Sequence, residues 1–277
     1  MANAPKTTKQ KKDGGKSSSG IVFASLSIII CFITGFLIWN FVMGDPSNFI
    51  DGNRDNQPLP GNYAGMVYKA GAVVPVLIGE FLMVFVFAIE RFIVINRASG
   101  TGNVGNFVRK IQQLINGGNI DAAIAECDKQ KGSVANVVRS GLLKYKDSSL
   151  DPNVDSEKAA IAIQKEIEET TALEMPMLEK NLNVLATLVS IGTLTGLLGT
   201  VTGMIRAFAA LATGGAPDSA QLANGISEAL INTATGIATS TFAIVFYNIL
   251  TGKIDKLTYS IDEAGFSIVQ TYAANHK

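Results

Sequence analysis

The chain has 277 residues, 47% of them hydrophobic and only 17% charged, with 23 Lys plus Arg against 23 Asp plus Glu. Soluble domains carry about 25% charged residues, so this chain is short of solvating surface, and its zero formal net charge excludes the basic footprint that nucleic-acid binding requires. Cys31 and Cys127 lie too far apart for a disulfide framework or a metal-ligand pair, and the lone His276 sits beside the C-terminus, which excludes most histidine-based catalysis and metal ligation.

Residues 1–19 have the composition of a disordered basic tail, with Lys6, Lys9, Lys11, Lys12 and Lys16. Gly20 to Met43 follows without a charge. It is too long for a signal-peptide apolar region and no A-x-A-like cleavage site follows, so it reads as a retained transmembrane helix. Residues 44–69 form an outer loop carrying Asp45, Asp51, Arg54 and Asp55. A second span covers 70–95, with Glu80 well inside it and Glu90 and Arg91 at its inner boundary, where an interfacial reading suffices. Residues 96–184 read as hydrophilic helices: NFVRKIQQLI, a GGN turn, DAAIAECDKQ, and SVANVVRSGLLKY ended by the loop DSSLDPN. A long helix capped by Asp155 follows, interrupted only by Pro176 and running, kinked, into the third span. Spans three and four cover 185–211 and 226–250, separated by a short outer loop at 212–225, and residues 251–277 form a C-terminal helix or tail.

Basic residues cluster in the N-terminal tail and in 96–184, which holds eleven, whereas the loops at 44–69 and 212–225 are poor in them. With four spans, both termini and every basic-rich segment fall on the cytoplasmic side. The fold class is therefore an all-α integral membrane protein with a helical bundle projecting into the cytoplasm.

Ionisable groups inside a span are expensive and face a bundle interior or water. In the fourth span Glu228, Asn232, Thr235 and Thr239 follow the i, i+4, i+7 pattern of one helical face. This polar stripe is about 16 Å long at 1.5 Å per residue, with Leu230, Ile237 and Ile244 opposite. Thr233 and Ser240 form a separate line. An acid at one end of a hydroxyl-bearing stripe suits a route for protons or cations; the plainer reading is that the hydroxyls join helices. In the third span Gly192, Gly196, Gly199 and Gly203 make two small-xxx-small pairs for close packing. Thr193 and Thr200 share a face expected to meet the stripe, and Arg206 is expected to snorkel to the interface. Glu80 is a candidate second relay acid or a bond to a neighbouring helix. Cys31 and Cys127 read as small buried apolar residues, and His276 as a tail residue. No P-loop and no G-x-S-x-G, H-E-x-x-H or C-x-x-C signature occurs, so no cofactor or metal site is expected, and the energy source left is an ion gradient.

GLLGTVTGMIRAF (196–208), ANGISEALINTATGIATSTFAIVFYN (223–248) and AAIAECDKQKGSVANVVRSGL (122–142) resemble the MotA/TolQ/ExbB proton-channel family, with the ExbB branch closest. The resemblance covers about residue 70 to the C-terminus. It implies a homopentamer in the bacterial inner membrane, around an ExbD-like single-span subunit whose aspartate carries the proton. It also implies that the complex uses the proton motive force to drive a TonB-like transducer for outer-membrane transport, as a motor subunit and not as an enzyme. Carried over, the family's pore glutamate falls on Glu228, and its pore threonines on Thr200 and Thr233. Thr233 owes its place to the resemblance alone. Two features depart from the family pattern: the additional span at 20–43, and Asn232 where a small apolar residue is usual. A TolQ-like or a gliding or secretion stator subunit, and a purely structural membrane scaffold, are the alternatives.

Overall fold

The computed structural model describes residues 15–150, 155–212 and 219–276, and these are almost wholly helical. The elements are α1 (Gly15–Leu37), α2 (Tyr63–Lys69), α3 (Val74–Ala98), α4 (Val104–Asn116), α5 (Ile120–Gln130), α6 (Gly132–Leu150), α7 (Ser156–Glu179), α8 (Leu182–Ala212) and α9 (Ser219–Asn275). Among the described residues there is no β-strand, only an isolated bridge between Phe49 and Pro58. Three helical stretches are long and apolar enough to cross a membrane: Val22–Met43, Ser156–Ala209 and Ser219–Asn275. A fourth is counted when α2 and α3, bent by 117°, are taken as one broken span. This is an all-α membrane protein.

Several helix ends depart from the sequence expectation. α1 begins at Gly15, inside the stretch read as a tail, while residues 1–14 lie outside the described ones. α6 continues through Asp147, Ser148, Ser149 and Leu150, residues read as a loop; the rest of that loop, through Asn153, lies outside the described residues, as do 213–218 of the loop between the last two spans. The expected cap is present, Asp155 accepting from Glu157 N at 3.2 Å. The break before the third span lies at Lys180 and Asn181 and not at Pro176, because Asn181 adopts φ 62°, a left-handed conformation that Asn tolerates better than most residues. The last carbonyls of α7 then need donors. Arg91 Nη1 supplies them at 3.3 Å to Met177 O and 3.5 Å to Leu178 O. Arg91 is thus a buried cap, 3% exposed and paired with Glu90, and not the interfacial residue that its position suggested.

The chain forms two compact units, Met1–Met83 with Thr195–Thr235, and Val84–Leu194 with Gly236–Lys277. The second is a helical bundle. Phe107, Val108, Ile111 and Ile115 of α4, Val134, Val138 and Leu142 of α6, Ile163 of α7, and Ile261, Ala264 and Ile268 of α9 are all buried. Asn103 and Asn119 cap α4 and α5 through their side chains, and Gly118 makes the intervening turn at φ 73°, the conformation glycine adopts freely. His276, read as a tail residue, stacks on Tyr272 with ring centroids 4.3 Å apart. Cys127 is free and buried as expected, and burial together with the Asp128 charge pushes its thiol up to about 12.

In the first unit α1 lies close against α3. A Cβ built on Gly35 would stand 2.8 Å from Gly79 N and Pro75 O, and one on Gly79 would stand 2.6 Å from the Phe32 ring. Cys31, the other free cysteine, is buried. The segment between α1 and α2 is a folded cap and not a bare solvated loop. Trp39 stacks on Tyr68 at 4.7 Å, Phe49 meets Tyr68 edge-on at 5.5 Å, and Asn48 donates to Val42 O and Met43 O at 2.9 and 3.0 Å. Elsewhere the unit turns apolar side chains outward, Leu197, Leu198, Ile205 and Leu230 all being exposed, as suits lipid or a neighbouring subunit.

Candidate functional site

The first unit assembles its polar groups where α8 and α9 run antiparallel at close range. Gly203 sets that approach: a Cβ there would stand 2.7 Å from Ala229 N and 2.8 Å from Gly225 O. Gly225 is the counterpart on α9, its Cβ position lying 2.7 Å from Ala207 N, and Gly199 faces the Asn232 side chain. The packing role read for Gly199 and Gly203 thus has definite partners. Gly196 is buried as well.

At this separation the Thr200 and Thr233 hydroxyls hydrogen-bond to one another. Each also lies within reach of its own helix backbone, Thr200 at 3.2 Å from Gly196 O and Thr233 at 3.0 Å from Ala229 O. A hydroxyl carries one proton and two lone pairs. Whichever threonine donates across, the other therefore donates to its own helix, and the pair has two equivalent proton arrangements.

Glu228 is 5% exposed. Both of its carboxylate oxygens accept from Arg206 Nη1, at 2.8 and 2.9 Å. A buried charge needs such a partner, since the cost of removing it from water is otherwise uncompensated. The Arg206 side chain remains 57% exposed, so its stem extends outward as a snorkelling arginine would, but its head is committed to the acid. The chain between α2 and α3 closes over the pair. Gly71, at φ 93°, leaves no room for a side chain: a Cβ there would overlap the Glu228 carboxylate and lie 2.8 Å from Arg206 Nη1. Asn232, fully buried one turn along α9, donates from Nδ2 to Ala70 O at 3.0 Å. Thr235, next on the stripe, is half-buried and donates to Ile231 O at 2.9 Å.

Glu80 is 2% exposed on α3 and accepts from the Thr195 hydroxyl at 2.8 Å. In the second unit Thr239 is fully buried beside Gly192, and Thr193, itself exposed, shares a hydrogen bond of 2.8 Å with Ser240.

The polar stripe of the fourth span is thus a buried face: Glu228, Asn232 and Thr239 are enclosed, while Leu230, Ile237 and Ile244 opposite are exposed. The partner expected for that face is different, however. Thr200 and Thr193 meet Thr233 and Ser240, the line read as separate, because antiparallel helices bring one seven-residue spacing onto another. Asn232 lies against Gly199 of α8 and donates to the turn between α2 and α3, and Glu228 is covered by that same turn. Arg206 as the partner of Glu228, and the Ala70 carbonyl and Gly71 as their cover, were missed. The signal for Arg206 was present. It lies six residues beyond Thr200 on α8, and an antiparallel register through Thr200 and Thr233 carries it to the level of Ser227 and Glu228.

Among the described residues no group of three His, Cys, Asp or Glu side chains comes together. The arrangement offers a charge-balanced buried carboxylate and, nearby, a hydrogen-bonded hydroxyl pair.

Residues 129–263 match the family model of the MotA/TolQ/ExbB proton channel family. Three relatives share parts of the sequence. An ExbB homolog of Methanothermobacter thermautotrophicus is 25% identical over 70% of this chain and 66% of its own length. The Tol-Pal system protein TolQ of Pseudomonas aeruginosa is 32% identical over 45% of this chain and 54% of its own length. A biopolymer transport protein described as ExbB-like, from Synechocystis sp., is 41% identical over 30% of this chain and 34% of its own length. The chain thus spans from about a third to about two thirds of the length of these relatives. The matched residues take in the Glu228, Asn232 and Thr239 face of α9 and Thr233 beside it: over this stretch, just under half of its length, the chain is similar to the MotA/TolQ/ExbB proton channel family.

Proposed function

We propose that the chain is the channel-forming stator subunit of a membrane motor driven by the proton motive force, an energy-coupling subunit and not an enzyme. The observation that carries this reading is Glu228, an acid enclosed within an apolar helix, paired with Arg206 and one turn from the Thr200–Thr233 hydroxyl pair. A scaffold needs hydroxyls to join helices but no ionisable group at this depth. Glu228, Thr200 and Thr233 are the ion-pathway residues of the proposal, with Asn232, Thr235 and Thr239 continuing the same face and Thr193 holding Ser240.

In its finer form the proposal makes the chain an ExbB-type subunit. Five copies enclose a single-span ExbD-like subunit and drive a TonB-like transducer, in a bacterial inner membrane with both termini in the cytoplasm. The exposed apolar faces of α8 and α9 provide surfaces for such assembly. The TolQ relative, 32% identical over 124 residues, supports a second reading, a Tol-type stator that maintains the envelope.

The test is Glu228→Ala in cells grown on a nutrient taken up through a TonB-dependent transporter, with membrane levels of the protein checked by blot. We expect growth to fail at normal protein levels, with milder defects for Thr200→Ala and Thr233→Ala. Full growth of Glu228→Ala with a defective envelope selects the Tol-type reading, and loss of neither removes Glu228 from the ion pathway.

A further inference from the structure

Two acids are buried in the first unit, and they are not equivalent. Both oxygens of Glu228 are engaged by Arg206. Glu80 has one oxygen engaged by Thr195, while Oε2, though fully buried, has no hydrogen-bond partner among the described residues. Among the described residues Glu80 forms no ion pair, and the Thr195 hydroxyl is its hydrogen-bond donor. Helix joining does not account for this. Gln at position 80 would accept the same Thr195 hydrogen bond without bringing an ionisable group into the span, and buried side-chain oxygens are as a rule partnered. An acid retained here, with one oxygen unpartnered, is a group built to take something up. Among the described residues Glu80 belongs to no group of three His, Cys, Asp or Glu side chains, so the chemistry fits a hard monovalent cation held by oxygen: a proton shared with water, or Na⁺.

From this geometry we infer that Glu80 and Thr195 form a second monovalent-cation site, separate from the Glu228–Arg206 pair, on the α3 side of α8. Its place in ion-driven work rests on the channel reading above; its occupancy does not. Glu80 Oε1 and Oε2 and Thr195 Oγ1 are the oxygens that bind. Thr195 either donates to the ionised carboxylate or turns its lone pairs to the cation, since a hydroxyl serves both roles.

Infrared difference spectra of the full-length protein in native membranes test this, first on a pH step and then on exchange of choline for sodium at constant pH. We expect a carboxyl band that is present in the wild type and in Glu228→Gln, lost in Glu80→Gln, and shifted in Glu80→Asp, which keeps the acid on a shorter stem. A band that follows pH and ignores sodium identifies a proton site, and one displaced by sodium identifies a sodium site. Spectra of Glu80→Gln that match the wild type under both steps overturn the inference, as does an unshifted band in Glu80→Asp should the Gln variant fail to accumulate. Because Glu228→Gln is measured alongside, failure of the channel reading, seen as activity retained in that variant, leaves the Glu80 result independent.

Discussion

Adding one methyl group at Gly203 tests the close approach on which the Thr200–Thr233 contact depends. The new Cβ would stand 2.7 Å from Ala229 N, 2.8 Å from Gly225 O and 3.0 Å from Ala229 Cα, where ordinary contact begins at 3.4 Å. All three neighbours are backbone atoms, so no rotamer change relieves the overlap and α9 must move away by about 0.7 Å. Overpacking of this kind costs about 1–3 kcal/mol, and stretching the Thr200–Thr233 hydrogen bond adds about 0.5–1.5 kcal/mol. The better helix propensity of Ala returns about 1 kcal/mol, leaving Gly203→Ala less stable by about 0.5–3.5 kcal/mol. Gly252→Ala, on the same α9, is the control: nothing lies within 4 Å of its Cβ position, so only the propensity gain of about 1 kcal/mol remains. Denaturant unfolding of the purified protein in detergent, followed by circular dichroism, measures both. A Gly203→Ala variant as stable as Gly252→Ala would refute the claim that backbone contact sets the helix separation.

Three further outcomes follow from particular contacts. Arg206→Gln leaves the Glu228 carboxylate buried without its cation, whereas Arg206→Gln with Glu228→Gln removes both charges. The double variant is expected to unfold at higher denaturant than Arg206→Gln alone, by about 1 kcal/mol because the arginine side chain is over half exposed and the pair partly screened. The Cys127 thiol, pushed up to about 12 mainly by burial, should resist iodoacetamide at pH 8 in the folded protein and react readily once unfolded; fast labelling of native Cys127 contradicts the burial described. The Lys110 hydrogen bond and charge hold the Glu126 carboxyl below its ordinary range. Its contribution is therefore present above the unfolded-state value near 4.3 and lost as pH falls through the lower folded value. Glu126→Gln should flatten the acid limb of the unfolding curve, and an unchanged limb would show that the ion pair contributes nothing.

Much of this was legible from local chemistry. Uncharged runs of about 20 residues have no stable place in water, and the helical period alone separates the buried face of Glu228, Asn232 and Thr239 from the exposed face of Leu230 and Ile237. Asp155 and the GGN turn announce themselves because caps and turns are decided by a few neighbouring residues. Less legible was anything whose partner is distant in the chain. Arg91 looked interfacial beside Glu90, and only the chain break at Asn181, which exposes the last carbonyls of α7, makes it a cap. Pro176 looked like the kink, yet the helix continues past it for three residues to Glu179.

Composition and periodicity, which act over one or two turns, gave an all-helical membrane chain, the polarity of each helical face and the acid in the fourth span; the family resemblance came from the motifs around that acid. Tertiary structure alone decided that Thr200 meets Thr233 and not the Glu228 stripe, that Arg206 neutralises Glu228, and that the turn at Ala70 and Gly71 covers both. It also separated two buried acids of the same type, leaving Glu80 with an unpartnered oxygen and Glu228 with none. The reason is physical. A residue's own helix sets the direction in which its side chain points, but only the register of a neighbouring helix sets which atom waits there to accept or donate.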